Sequence, residues 1–186
     1  MERVPETGST NADLLAGVSL EVPHRYVLTT AFQSAGKGRL GRVWEAPSGA
    51  NLLVSVLLRD VVGPLHRVTQ HLGLAAALVL QEKYGLRAGV KWPNDVVVTI
   101  PRDGADVDVK IAGILAQAVG NNVVVGMGLN VKWAPPPEVA DATCIAELVS
   151  AAQVPEPIDM LDMVLARFDE VSGLDERESF ALYRKH

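Results

Sequence analysis

Two apolar runs, residues 109–119 and 123–131, are separated only by Gly120-Asn121-Asn122, and no other feature limits the fold so strongly. β-branched residues crowd both runs, and a Gly-Asn-Asn interruption of this length reads as a hairpin turn. A chain that reverses this tightly pairs its arms antiparallel, so the sheet is predicted to be largely antiparallel there. Residues 26–32, 51–59 and 95–100 are further strand candidates, rich in β-branched or large apolar side chains and too short to stand as helices. From Gly63-Pro64 to Tyr84 the apolar positions Val68, Leu72, Ala75, Ala76 and Val79 recur at helical spacing, and Gly85 ends the run. A short helix is predicted over residues 9–17, capped by Ser9 or Thr10 and stopped at Gly17. After Pro135-Pro136-Pro137, residues 157–171 show helical spacing at Met160, Leu161, Val164, Leu165 and Phe168. A terminal helix is expected over 174–183, so helix should fill much of 157–186. Residues 101–108, with Pro, Gly and several aspartates, read as a solvated connection. The expected architecture is α+β: a mixed, largely antiparallel sheet with helices packed on it.

Composition narrows the class. At 186 residues the chain fits one domain, 1–186, able to bury roughly two thirds of its unfolded surface. Hydrophobic residues make up 48% of it, yet no uninterrupted apolar run is long enough for a membrane-spanning helix. Residues 1–9 carry charges and a proline where a secretory signal needs a basic start and an apolar stretch, which predicts a cytoplasmic protein. The single cysteine, Cys144, excludes an internal disulfide framework and a multi-cysteine metal cluster, and reads as a structural thiol. With a net charge of −5, general attraction to nucleic acid through counterion release is not expected, so no DNA partner is predicted. Basic residues do cluster at Lys37, Arg39 and Arg42, interleaved with glycines, and that pattern suits a small anionic ligand.

The loop Gln33-Ser34-Ala35-Gly36-Lys37-Gly38-Arg39-Leu40-Gly41-Arg42-Val43-Trp44 carries the strongest chemical signal. Its glycines let backbone N–H groups approach an anion, its cations add charge, and Trp44 offers a flat face for a base. The guanidinium groups of Arg39 and Arg42 can fork onto phosphate oxygens. The spacing fits neither a P-loop nor a dinucleotide fingerprint. Next, Lys91-Trp92-Pro93-Asn94-Asp95 puts a cation, an indole, an amide and a carboxylate in one turn, where Asp95 can offer a hard oxygen to Mg²⁺. In Lys110-Ile111-Ala112-Gly113-Ile114-Leu115 a lysine opens an apolar strand, and Gly113 leaves room above it. In Gly126-Met127-Gly128-Leu129-Asn130 two glycines interrupt an apolar strand, a mark of a bulge or of close approach by another group. Each alone has a plainer reading: a solvated turn, an Asn or Asp bonded to its own backbone, or a lysine guarding a sheet edge.

Taken in order, these elements resemble the biotin-protein ligase family. The resemblance joins Ser9-Thr10-Asn11, Gln33 with the 36–42 loop, the Lys91–Asp95 turn, the Lys110–Leu115 stretch and Gly126-Met127-Gly128-Leu129-Asn130-Val131, over roughly residues 8–150. Ala142-Thr143-Cys144 is similar to a further family element in which serine often replaces the cysteine. What it implies is a catalytic domain related to class II aminoacyl-tRNA synthetases. Its expected reaction is the ATP-dependent activation of biotin to biotinyl-5′-AMP with release of pyrophosphate, then transfer to a lysine of a biotin carboxyl carrier protein domain. The carrier would belong to a biotin-dependent carboxylase such as acetyl-CoA carboxylase.

The resemblance places biotin against Ser9, Thr10, Asn11, Gln33, Gly36, Lys37, Arg39, Lys110, Gly113, Gly126 and Gly128. It places ATP or the adenylate against Arg39, Arg42, Trp44, Asn94, Asp95, Lys110 and Asn130, with Arg39 and Lys110 catalytic and Asp95 holding Mg²⁺. Lys37 stands where the family usually has arginine, and Gln117 where glutamate is common. Nothing ahead of Ser9 suits a helix-turn-helix, and the chain stops at Tyr183-Arg184-Lys185-His186 where many relatives continue into a small β-barrel. The expectation is therefore a catalytic domain without repressor activity, as a monomer or homodimer. Two rivals stay open: a lipoate or octanoate ligase or transferase, and a non-catalytic module that binds biotin or a nucleotide.

Overall fold

A computed structural model describes residues 1–19 and 22–185. Among these, seven strands form one sheet in the order β1-β2-β3-β7-β6-β5-β4. They are β1 (Glu2–Thr7), β2 (Tyr26–Gln33), β3 (Leu52–Leu58), β4 (Ala88–Lys91), β5 (Asp95–Arg102), β6 (Ala105–Val119) and β7 (Asn122–Leu129). Only β1 and β2 run parallel; every other neighbouring pair is antiparallel, which makes the sheet mixed and largely antiparallel. The β6–β7 hairpin closes through Val119↔Asn122, with Gly120 at φ 58 in the first central position of a two-residue turn.

Alternation along the strands splits the sheet into two faces. On β7, Val123, Val125, Met127 and Leu129 point into the main core, as do Leu52, Val54, Val56 and Leu58 of β3. Two helices cover that face: α2 (Leu65–Tyr84), ended by Gly85 in the left-handed region, and α4 (Pro157–Gly173), opened by a proline in its first turn. Phe168 of α4 is 1% exposed, and Met160, Leu161 and Val164 are buried beside it. On the opposite face the short helix α1 (Thr10–Ala16) covers only part of the sheet, packing Leu14 with Leu28, Leu57 and Val124. The uncovered remainder of that face is where the site lies.

Several expectations need correction. Residues 101–108 are not a mere connection. They are the end of the β5–β6 hairpin, turning at Asp103 (φ 53) and Gly104 (φ 82), the left-handed pair that a type I′ turn requires. The two helices expected within 157–186 are both present: α4 stops at Gly173, and a separate helix, α5 (Glu176–Lys185), follows; His186 lies outside the described residues. Ser9 occupies the N-cap position of α1 but its side chain makes no capping hydrogen bond, and Thr10 lies inside the helix. Strands β1 and β4 were not anticipated.

Cys144 is 2% exposed at the start of the short helix α3 (Ile145–Leu148), and burial pushes its thiol pKa up. A buried thiol held protonated is inert. A maleimide or disulfide reagent at neutral pH should leave the native chain unlabelled and label it fully in denaturant; prompt labelling of the native chain would contradict this packing.

Candidate active site

A cavity of about 1110 Å³ opens on the α1 face of the sheet. It exists because side chains are missing where the central strands would otherwise project them. Gly113 of β6 pairs with Gly128 of β7, and Gly126 of β7 pairs with Ser55 of β3. The indole of Trp44 lies against the first pair: a Cβ added at Gly128 would sit 2.3 Å from its ring, and one at Gly113 2.8 Å. Asn11 fills the space over the second, where a Cβ at Gly126 would sit 2.1 Å from Asn11 Oδ1. The two glycines that interrupt the apolar strand therefore mark close approach, not bulges.

One end of the cavity is polar and uncharged. The Asn11 Nδ2 donates to the carbonyl of Leu115 at 3.1 Å and to Gln117 Oε1 at 3.2 Å, while Ser55 Oγ donates to Asn11 Oδ1 at 2.6 Å. Thr10 donates its backbone N–H to Gln33 Oε1 at 2.9 Å, and its hydroxyl oxygen lies 3.0 Å from that same oxygen and 2.7 Å from Ser55 Oγ. Ser9, Thr10, Asn11 and Gln33 all line the cavity, so these four predicted residues come together. Ser55, 0% exposed, was missed. Its signal was available as the one polar residue in the run Leu52-Leu53-Val54-Ser55-Val56-Leu57-Leu58.

The other end is cationic. Lys37 and Val43 form a bridge, and Gly38 N–H donates to the Arg42 carbonyl at 2.8 Å, so the glycine-rich loop is a small hairpin. Leu40, 89% exposed, takes the left-handed conformation at the tip (φ 56). Lys37, Arg39, Arg42 and Trp44 line the cavity, but Gly36 does not. Gly36 is buried against the backbone of Trp44, accepting its N–H at 3.0 Å, and a Cβ there would lie 2.2 Å from the Trp44 carbonyl oxygen. Its demonstrable job is to close the base of the loop. Arg39 crosses to the β4–β5 turn, where Nη1 donates to Asn94 Oδ1 at 2.9 Å.

Lys110 also lines the cavity, from the strand that carries Gly113. The β5–β6 pairing shifts register between Val96 and Val97: their partners are Ala112 and Lys110, so Ile111 is the extra residue of a bulge. Such a bulge re-aims the side chain next to it. The Lys110 ammonium lies 2.7 Å from Asp95 Oδ1 and 5.5 Å from the centroid of the Trp44 ring. Both ends of that pair are about 30% exposed, so the attraction is moderated by solvent but available to an incoming anion. Asn94 also donates to Asp95 Oδ1, which leaves Oδ2 as the oxygen a cation could take. Among the described residues no group of three His, Cys, Asp or Glu side chains could hold a metal alone, so any Mg²⁺ here needs phosphate and water as its remaining ligands.

Asn130 lines the cavity but is 2% exposed, and its amide is used internally: Asn51 Nδ2 donates to its Oδ1, and its Nδ2 donates to the Thr143 carbonyl. Asn51, also missed, accepts the N–H groups of Val131 and Trp133. The Thr143 N–H in turn donates to the Lys110 carbonyl at 2.8 Å. These bonds fasten residues 131–143, which supply Trp133, Pro135 and Val139 to the wall, onto the strand that carries the lysine.

Residues 4–132 match the Biotin/lipoate A/B protein ligase family. The chain is similar to the biotin--[acetyl-CoA-carboxylase] ligase of Mycobacterium tuberculosis, 39% identical over 163 residues that cover 82% of this chain and 57% of the relative. It is likewise similar to the ligase of that name from Paracoccus denitrificans, 33% identical over 87% of this chain and 70% of the relative. The bifunctional ligase/repressor BirA of Escherichia coli is 34% identical over 134 residues that cover 68% of this chain and 39% of the relative. Among solved structures, the biotin protein ligase of Aquifex aeolicus in complex with biotin and ATP superposes with a TM-score of 0.75 at 28% identity, covering 91% of this chain and 68% of that one. The chain belongs to the biotin/lipoate A/B protein ligase family. It spans a little over half the length of the M. tuberculosis relative.

The contact between Trp44 and Gly128 is testable alone. Gly128→Ala should displace the indole, at a cost of about 1–3 kcal/mol as for other overpacked sites. In a ¹H–¹⁵N spectrum the indole N–H signal of Trp44 should move far more than those of Trp92 and Trp133. Equal, small shifts of all three would show that the ring does not rest there.

Proposed function

We propose that this chain is the catalytic domain of an ATP-dependent biotin-protein ligase. The carboxylate of biotin attacks the α-phosphate of ATP, forming biotinyl-5′-AMP and releasing pyrophosphate; the amine of a carrier lysine then attacks the acyl carbon, and AMP leaves. The observation that carries this reading is one cavity lined by neutral, hydrogen-bonding residues at Thr10, Asn11 and Gln33, by the cations Arg39 and Arg42, and by Lys110 beside Asp95 and Trp44. A ureido ring needs several uncharged polar partners, which a plain aliphatic acyl chain does not. A triphosphate needs the cations.

Two anions must meet in line, and holding them so can contribute about 7–11 kcal/mol to lowering the barrier. A bulge at Ile111 precedes the stretch that follows Lys110, and the role proposed for this lysine is to stabilise charge growing on the phosphoryl oxygens rather than to move a proton. Arg39, Arg42 and Asn94 bind the phosphates from the loop side, and Trp44 supplies an apolar wall between the ends. The Asp95 carboxylate would hold the Mg²⁺ that accompanies ATP, an ion that supplies further neutralisation of phosphate charge. Asn130 and Asn51 keep the nucleotide wall in place. The carrier is a biotin carboxyl carrier domain, and the setting is the cytoplasm, where ATP is supplied. Among the described residues no helix is long and apolar enough to cross a membrane.

The test is ATP–pyrophosphate exchange. Biotin should stimulate it; stimulation by lipoate or octanoate instead would transfer the assignment to those acids, and tight biotin binding without exchange would make the chain a binding module. Lys110→Ala should lower the exchange rate by about 10²–10³-fold, the usual cost of losing one charge-stabilising donor. Its biotin affinity by calorimetry should stay within about threefold, since the interaction matters mainly in the transition state. Equal losses in rate and affinity would refute that role.

A further inference from the structure

The turn at residues 91–95 is a single layer of chain with a space on either side of it. Lys91, Pro93, Asn94, Asp95 and Ile114 line the large cavity on the α1 face, and the same five residues line a second, narrow gap on the α2 side. That gap measures about 10 Å³, room for a single water at most, so the groups around it are almost in contact. Its remaining walls are Thr69, Gln70 and Gly73 of α2, Val90 of β4 and Tyr183 of α5.

Two features bring α2 and α5 up to the turn. At Gly73 the helix α2 lies so close to the sheet that an added Cβ would stand 3.1 Å from Ile114 Cδ1 and 3.2 Å from Val90 Cγ1. Leu182 of α5 packs against the cluster of Leu74, Leu78 and Val171, and the next residue, Tyr183, is hydrogen-bonded to the side chain of Gln70. A phenol ring from the far end of the chain therefore stands behind residues that face the cavity. In front, the Ile114 N–H donates to the Asn94 carbonyl at 2.8 Å, and Arg39 reaches the Asn94 side chain from the exposed hairpin. The turn passes this support on, since Asn94 Nδ2 and the Lys110 ammonium both bond to Asp95 Oδ1.

We propose that Tyr183 is a positioning residue that braces the turn from behind, and so fixes Asn94 and Asp95, and through Asp95 the Lys110 ammonium, for the nucleotide. It acts through the turn and touches no ligand: none of the described residues of α5 lines the cavity. The inference rests on the reading of this turn as part of the nucleotide site. It deepens that reading by assigning the terminal helix to the first half-reaction.

The experiment compares the wild-type chain with Tyr183→Ala and Tyr183→Phe in biotin-stimulated ATP–pyrophosphate exchange, in biotin calorimetry without ATP, and in ¹H–¹⁵N spectra of the ligand-free chain. Tyr183→Ala should lower kcat/KM for ATP by about 10–100-fold, the range that a displacement of about 1 Å caused far from the chemistry can produce. Its biotin affinity should stay within about threefold, because Thr10 and Asn11 are held by bonds to Ser55, Leu115 and Gln117, none of them in the turn. Tyr183→Phe keeps the ring and loses only the bond to Gln70, so it should restore most of the activity. In the spectra, the amides of Trp92, Asn94 and Asp95 should shift with Tyr183→Ala, and those of Thr10, Asn11 and Gln33 should not. Parallel losses of biotin affinity and exchange would show a general loosening of the fold, and unchanged exchange with unshifted turn amides would show that nothing is braced; either result overturns the proposal. A wild-type chain without biotin-stimulated exchange overturns the ligase reading instead, and the spectra then decide by themselves whether Tyr183 holds the turn.

Discussion

The whole site depends on the absence of three side chains from the middle of a sheet. A sheet packed on one face by α2 and α4 would ordinarily present a second row of side chains on its other face, filling the space beside α1. At Gly113, Gly126 and Gly128 that row is missing, and the indole of Trp44 and the amide of Asn11 descend to the backbone. Glycine weakens a strand interior by roughly 0.5–1 kcal/mol relative to alanine. The neighbouring residues offset this through burial, since Val125, Met127 and Leu129 alternate with the glycines and face the main core. Stability is drawn from one face of β7 and room for ligands from the other.

The same strands place the charges. Lys110 would lie on a regular ladder without the bulge at Ile111; with it, the ammonium reaches both Asp95 and the Trp44 face. Its backbone is held in turn by Thr143, whose carbonyl accepts from Asn130, which Asn51 orients. A buried amide bonded through both its oxygen and its nitrogen resists reorientation, because a move leaves a polar group unpaired at about 1–3 kcal/mol. The site therefore combines a rigid floor, built on strands, with an exposed hairpin of residues 37–43 standing over it.

Much of this was legible in the sequence, for identifiable reasons. Strands β2, β3, β6 and β7 and helix α2 follow from long apolar patterns whose period is unmistakable. Strand β1 escaped because Glu2-Arg3-Val4-Pro5-Glu6-Thr7 is mostly exposed and contains a proline, which an edge strand tolerates. The β5–β6 extension escaped because Pro101 and the aspartates outweighed the Asp103-Gly104 turn signal; Pro101 is accommodated because β4 pairs only as far as Val98. In the site, residue types were readable but directions were not. Gly36 packs on the backbone of Trp44, and Asn130 lines the cavity while its amide is bonded to Asn51 and Thr143, neither of which the local sequence shows. Ser55 stands out as the polar residue of an apolar run, but its partners Thr10 and Asn11, like the Asn130 partner of Asn51, lie dozens of positions away, and no local pattern encodes such contacts.

The account stands on biotin and nucleotide lying end to end across Lys110. A crystal structure of the chain with biotinyl-5′-AMP addresses it most directly. The ureido ring should lie at Thr10, Asn11 and Gln33, and the bridging phosphate within about 3 Å of the Lys110 ammonium, the length of a charge-assisted hydrogen bond. An adenylate bound in the reverse direction, or with its phosphate out of reach of Lys110, would contradict it.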